Sequence, residues 1–282
     1  MNYNQITIGI VTYKSEKVLF DCLKSIKKIR NIIIFDNSND TELKKIIDKR
    51  YPKIRFIKSI KNLGYGAANN RIVKESNTKF VFILSPDVIL KKNCEQNLLK
   101  SLLKLKNNFS VLSPFEKNKN HEYSKKKFSN NKNLLEVNYA NGFALLINKY
   151  DFKKIGMFDE NIFLYNEEID LFKRLRISNL KIYIDRNSEV KHLGGKSSNI
   201  GNEFDKCRNW HWMWSQVYFQ KKYKKKFLIN IKFTLILFVL LWKIIFYFLI
   251  FKKKKAIDKV MRFSGTLNAI LGRSSWYRPK LN

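Results

Sequence analysis

From residue 6 to about residue 113, short apolar runs alternate with longer segments of helical spacing, which is how successive βα units of a parallel sheet look in sequence. The expected strands are Ile6 to Thr12, Ile32 to Phe35, Ile54 to Ile57, Phe80 to Leu84 and Val111 to Leu112. Residues 16–28, 40–50, 66–76 and 92–106 are the expected helices. Right-handed crossovers bring the C-terminal ends of such strands to one edge, where open α/β sheets bind ligands. Four polar loops fall at those ends: "TYK", "DNSND", "KNLGYGAANN" and "SPD". Glu116 to Lys132 is almost devoid of apolar residues and is expected as a mobile excursion. Beyond it, "VNYANGFALLINKYDF" reads as a strand with Gly142 near its start. A short helix, an acidic segment and a last strand, "LKIYID", follow.

Composition bounds the partners. The chain has 56 Lys and Arg against 23 Asp and Glu, a net charge of +33. Such an excess suits a polyanionic partner, either nucleic acid or an anionic membrane surface. The lysines are spread along the whole chain among many Asn and Ile, so compositional drift is an equal explanation. Hydrophobic residues make up 45% of the 282, enough for one large globular domain plus an appendage. Cys22, Cys94 and Cys207 are far apart and in no metal-ligand spacing, which fits a reducing cytosol. The first residues have no signal-peptide pattern and read directly as a buried strand.

Several residues could carry chemistry. Asp36 and Asn37 close the second strand, where they either meet a ribose or base edge or form an Asx turn. Gly64 and Gly66 permit close backbone approach at the start of a helix whose N-terminus could face phosphate. Asp87 follows an unbroken apolar strand and either holds a divalent cation or caps a turn. In "YNEEIDLFKRL", Asn166 is placed as an N-cap with Glu167, Glu168 and Asp170 in the first turn, where the helix dipole favours acids. Asp170 has Lys173 and Arg174 at i+3 and i+4, the spacing of a surface ion pair. Glu168 differs, because Leu171, Phe172 and Leu175 share its face of the helix. A carboxylate there is partly desolvated and suited to be a general base. His192, in "VKHLGGKSS", could join Asp87 in a mixed oxygen and nitrogen site for Mg²⁺ or Mn²⁺, with Lys196 and two serines toward a diphosphate.

Seven segments, in register from Ile6 to about Ser198, resemble the family 2 glycosyltransferases of the GT-A fold, in their rhamnosyltransferase-like branch. They are "IVTYKS", "DNSND", "NLGYGAANN", "LSPDV", "NGFALLINKYDFKKIGMFDE", "FLYNEEIDLFKRL" and "VKHLGGKSS". The resemblance implies an α/β, Rossmann-like, mostly parallel sheet flanked by helices. Residues 1–205 would form the catalytic domain, with a nucleotide-sugar half at about 1–115 and an acceptor half at about 134–205. It also implies that Thr12, Tyr13, Asp36, Asn37, Asn62, Gly64, Asn70, Ser85 and Lys196 bind the donor. Asn141, Gly142 and Asp159 would meet the acceptor, and Asp87 and His192 the metal. The catalytic acids would be Glu168 and Glu167, with Asp170 in support. The reaction implied is inverting transfer of a sugar, dTDP-rhamnose or else a UDP-linked sugar, to a lipid-linked or cell-surface glycan acceptor in polysaccharide biosynthesis. Two departures stand out: the family's Glu-Asp pair reads Glu-Glu here, and its metal motif keeps one aspartate behind Ser85 and Pro86.

Residues 206–282 read as a helical, basic and hydrophobic membrane-associating region. Phe227 to Phe251 is long enough to cross a hydrocarbon core of about 30 Å. Lys232 and Lys243 interrupt it on nearly one face, and "KKYKKK" and "KKKK" flank it. The positive-inside rule then favours both ends at the cytoplasmic face, with an in-plane or re-entrant anchor preferred and a single span possible. The tryptophans of "NWHWMW" suit either an interfacial belt or packing on the catalytic domain. The competing readings are a basic nucleic-acid-binding protein, opposed by the acidic cluster and the lack of a recognition motif, and an inactive transferase-like scaffold.

Overall fold

The computed structural model describes residues 2–106, 108–117, 133–194 and 201–279. Nearly all of the Glu116 to Lys132 run, together with Lys196, lies outside them. The chain forms two compact units: Met1–Asp159 with Glu168–Asn199, and Glu160–Glu167 with Ile200–Asn282. The second therefore includes a segment ahead of the acidic helix as well as the C-terminal region.

The first unit is a sheet between two helical layers. Its strands are β1 (Ile6–Thr12), β2 (Asn31–Asp36), β3 (Arg55–Lys58), β4 (Phe80–Leu84), β5 (Val88–Leu90), β6 (Val111–Phe115), β7 (Leu134–Glu136), β8 (Ala144–Asn148) and β9 (Ile182–His192). The order is β3-β2-β1-β4-β8-β6-β9-β5, with β7 also on β9. The half from β3 to β4 is parallel, as the βα pattern requires. The other half is mixed: β8 is antiparallel to both β4 and β6, while β6 and β9 are parallel. A mostly parallel sheet is thus correct for the first half only. An apolar strand buried on both faces reads alike in either direction, which is why sequence alone missed this. Every residue of β1, β4 and β8 is buried.

On one face, α1 (Glu16–Ser25), α2 (Thr41–Arg50) and α4 (Cys94–Leu105) supply Leu19, Leu23, Leu43, Ile47, Leu98 and Leu102 to the core. On the other, α3 (Tyr65–Glu75), α5 (Lys149–Lys154) and α6 (Glu167–Ile177) supply Ile72, Val73, Phe152, Leu171, Phe172 and Leu175. A β-carbon at Gly9 would stand 2.6 Å from Ile72 Cγ2, so glycine sets how closely α3 approaches β1. Asp40 caps α2 by accepting the Leu43 N–H at 3.0 Å.

The second unit contains α7 (Asn202–Tyr223), α8 (Lys226–Leu249) and α9 (Lys253–Ile270). Asn209 Nδ2 donates to Asp258 Oδ1 at 3.0 Å, Trp210 Nε1 to Ser264 Oγ at 3.1 Å, and Lys221 Nζ to the Ile270 carbonyl at 2.9 Å. These pairs ascend together, so α7 and α9 run parallel and α8 returns between them in sequence. Trp210 and Trp214 are buried in this unit's own core with Val217, Ile229, Phe233 and Ala269. Their burial excludes an interfacial belt for those two tryptophans.

Candidate active site

The register of β1 on β2 sets Thr12 beside Asp36. Asp36, fully buried, accepts from Thr12 Oγ1 and Ser38 Oγ, both at 2.8 Å, and from the main-chain N–H of Asp40 at 2.8 Å and of Ser38 at 3.2 Å. Of the two alternatives for Asp36, this bonding is that of the Asx turn. Tyr13 is buried one residue beyond Thr12. Asn37 Oδ1 takes the Leu63 N–H at 3.1 Å while its Nδ2 donates to the Gly64 carbonyl at 3.2 Å, and Asn62 Oδ1 takes the Gly64 N–H at 2.9 Å. Gly64 itself has φ +85°, a left-handed conformation that glycine adopts without strain. Asn70 donates from Nδ2 to the Phe158 carbonyl at 2.9 Å and accepts the Phe158 N–H at 3.0 Å, fixing the backbone just before Asp159. The side-chain amides of Asn37, Asn62 and Asn70 are therefore committed to main chain. They build the loops of the expected donor pocket.

A second corner joins β4, β5 and β9. Ser85 donates its N–H to the Phe143 carbonyl at 2.8 Å, and Val88, next to Asp87, pairs with His192. His192 is the last residue of β9, not a loop residue beyond it, because the strand continues well past "LKIYID". Its Nε2 lies 3.3 Å from Asp87 Oδ2, its ring stacks on Phe143 with centroids 4.3 Å apart, and its N–H donates to Glu116 Oε1 at 2.9 Å. Asp87 is 1% exposed, and among the described residues neither of its carboxylate oxygens accepts a hydrogen bond. A buried carboxylate left without donors is costly unless a cation meets it. One oxygen and one nitrogen donor at this corner fit a divalent metal. Among the described residues no cluster of three or more His, Cys, Asp or Glu is placed to hold one, so substrate oxygens would have to complete the coordination.

The third corner is α6. Leu171, Phe172 and Leu175 are buried as the helical spacing required, and Glu168 on the same face keeps partial exposure. Burial pushes the Glu168 carboxyl pKa up, with its own backbone hydrogen bond opposing. Gly142 explains how the side chain is seated: a β-carbon there would lie 3.1 Å from Glu168 Cγ, 3.3 Å from Cβ and 3.4 Å from Cδ. Tyr65, the first residue of α3, donates its hydroxyl to the Gly142 carbonyl at 2.8 Å. Asn141 is buried beside it. Glu167 is buried, and Tyr165 and Asn166 before it both have φ +69°, an uncommon backbone conformation for such side chains. Asp170 does not form a surface pair. It is fully buried, accepts from Arg174 Nε at 2.7 Å, and Arg174 continues to the carbonyls of Ile155 and Met157, both at 2.6 Å. Its part is to brace that loop.

Three contributors escaped sequence reasoning. Tyr65 lay inside a quoted motif but next to glycines that drew the interpretation. Phe143 looked like one more core aromatic. Glu116 opened a run read as an excursion, yet it is buried against β9.

A parallel half-sheet with polar loops at its strand ends, a buried acid and histidine at one corner and a desolvated glutamate at another agree with the resemblance carried by the sequence segments. Residues 7–172 match the family "Glycosyl transferase family 2". The chain belongs to that family. It is 27% identical over 200 residues to the low-salt glycan biosynthesis hexosyltransferase Agl10 of Haloferax volcanii, covering 64% of each chain. It is 26% identical over 239 residues to the rhamnosyltransferase WbbL of Escherichia coli K12, covering 73% of this chain and 89% of WbbL. The chain thus spans somewhat under two thirds of Agl10 and most of WbbL. Among solved structures it shares the GT-A fold of the mannosyltransferase PcManGT of Pyrobaculum calidifontis, solved with GDP-Man and Mn²⁺. That TM-score is 0.58 at 12% identity, covering 74% of this chain and 62% of that one. GalNAc-T7, solved with UDP, GalNAc and Mn²⁺, gives a TM-score of 0.54 at 12% identity, over 67% of this chain and 44% of that one.

Proposed function

We propose that this glycosyltransferase moves a sugar with inversion from a nucleotide donor, dTDP-rhamnose, to a lipid-linked or cell-surface glycan acceptor at the cytoplasmic face of the membrane. The observation that carries the mechanism is Glu168: partly open, desolvated, and seated on Gly142. Glu168 removes the proton from the acceptor hydroxyl as that oxygen attacks the anomeric carbon. The bond from that carbon to the nucleoside diphosphate breaks on the opposite face, its electron pair leaving with the diphosphate, and the configuration inverts. The donor lies over Thr12, Tyr13 and the loops that Asp36, Asn37 and Asn62 hold, with Ser85 at its diphosphate end. Asp87 and His192 would hold Mg²⁺ or Mn²⁺, whose charge would stabilise the departing nucleoside diphosphate. Asn141, Gly142 and Asp159 face the acceptor. The rhamnosyl donor is supported by the match over most of WbbL, a rhamnosyltransferase.

The test is diphosphate release from a panel of dTDP- and UDP-sugars by detergent-purified protein, with and without Mg²⁺ or Mn²⁺, beside Glu168→Gln. Turnover of dTDP-rhamnose that falls by about 10²–10⁴ in the variant, with donor binding kept, is the expected result. A variant as fast as the parent removes Glu168 from the mechanism and brings Glu167 forward. Turnover of a UDP-sugar in place of dTDP-rhamnose corrects the donor.

A further inference from the structure

Among the described residues, α8 is the one helix long and apolar enough to cross a membrane. Its surroundings describe a different use. Ile229, Phe233 and Leu240 turn inward and are buried, the first two in the core of the helical unit. Leu228, Ile231, Leu235, Phe238, Trp242, Ile245 and Leu249 turn outward at alternating spacings of three and four, every one of them exposed, Trp242 at 68%. At 1.5 Å per residue this stripe runs for roughly 30 Å.

Of the three lysines of α8, Lys226 is its first residue, and Lys232 and Lys243 leave the stripe uncharged. Lys232 Nζ donates to Gln220 Oε1 of α7 at 3.1 Å. Lys243 stands at about 100° from Trp242 around the helix, off the stripe. Helix α8 is thus exposed and apolar over the stripe and beside it, where Val239, Leu241, Phe246 and Phe248 are also exposed, and it is joined along its remaining side to helices bearing Asp258, Lys259, Arg262 and Lys221, with Arg262 Nε on Asn209 Oδ1 at 2.8 Å. Crossing the bilayer as packed would carry those charges into hydrocarbon, where none has a lipid partner. Lying along the surface leaves them in water. The ends agree, with Lys221, Lys222, Lys224 and Lys225 before the helix, Lys226 as its first residue and Lys252 to Lys255 after it, so that both ends suit anionic head groups of one leaflet. A second copy is a poorer cover, since it would set one cationic flank against another on chains of net charge +33.

We propose that α8 lies in the plane of an anionic bilayer surface, its Leu228-to-Leu249 stripe against the acyl chains and both lysine clusters on the same side. This rests on the membrane part of the proposed function and not on the donor sugar. In such a binding mode apolar area gives depth and lysines give lipid selectivity.

The full chain is tested by flotation with vesicles of phosphatidylcholine alone and of phosphatidylcholine with phosphatidylglycerol, at low and high salt. Preformed vesicles with bound Lys225→Cys or Lys252→Cys protein are then treated with an impermeant maleimide. Expected are at least tenfold more flotation on the anionic vesicles, weakened by salt, and labelling of both cysteines from outside. A Leu235→Asp/Phe238→Asp variant should lose at least tenfold of that flotation while releasing diphosphate from soluble donor as the parent does. Flotation with one cysteine protected inside the vesicle overturns the in-plane geometry and leaves the membrane reading standing. Absence of flotation on either vesicle overturns both, and a dimer in solution that buries Trp242 would then name a second copy as the cover.

Discussion

Glu168 and Gly142 form one device, because the carboxylate stem rests where any side chain at residue 142 would have to go. Gly142→Ala must move Glu168 by a few tenths of an ångström, and base catalysis is steep in position. The expected result is a kcat lowered by about tenfold or more with donor KM near the parent value. Tyr65→Phe, which frees the Gly142 carbonyl, should lower kcat less. An unchanged kcat in Gly142→Ala would detach Glu168 from the chemistry. The raised carboxyl pKa has two further consequences with a definite sign. A base must be ionised, so activity should fall with acid at a pH above the ordinary glutamate value of 4.5. Stability runs the other way: a folded pKa above the unfolded one gives stability present at low pH and lost as pH rises through the folded value. Glu168→Gln should therefore melt higher than the parent at pH 8, and the difference should vanish near pH 4. Equal melting points at pH 8 would mean that the carboxylate is not desolvated. Asp36, Asn37 and Asn62 teach a related lesson: their residue types were legible as donor-side groups, but the commitment of each to turn and loop backbone depends on partners from other segments.

At the scale of elements, Asn70 ties α3 to the loop ahead of Asp159. Asn70→Ala strands a buried N–H and carbonyl of Phe158, and should cost about 2–3 kcal/mol in urea unfolding. A cost within the error of a surface substitution would show the clamp to be idle. In the helical unit, His211 is fully buried, its Nε2 is 2.8 Å from the Tyr277 carbonyl, and its ring lies 4.6 Å from Phe163. Burial lowers its pKa to about 3, against the bond to Tyr277, which raises it. A histidine whose folded pKa is depressed loses stability as pH falls below its unfolded value of about 6.5. Helical signal should accordingly begin to weaken below that pH and continue to weaken toward pH 3, and His211→Gln should flatten the dependence. A parent and variant with identical acid curves would place the cause elsewhere. That residues 206–282 are helical was legible in sequence, but which of the α7 aromatics face inward was not, since tryptophans crowd several faces and packing within the helical unit selects Trp210 and Trp214.

For the whole molecule, net charge invites a nucleic-acid reading that the fold does not share. At 0.15 M salt, mixed-sequence DNA should bind no more tightly than about 1 µM, the nonspecific range for a basic surface, as read by gel shift. Nanomolar binding would restore that reading. What the sequence determined by itself was local in origin: the βα rhythm of the first half, the motif loops at strand ends, the apolar face that carries Glu168, and the long apolar α8 with its lysine flanks. Each follows from periodicity or from side-chain chemistry within a few residues. Tertiary structure alone decided the antiparallel insertion of β8 between β4 and β6, the placing of His192 within β9 instead of beyond it, the seat of Glu168 on Gly142 and the burial of Asp170 on Arg174. These depend on contacts between segments tens of residues apart in most cases, and on strand direction, which a doubly buried apolar run does not encode.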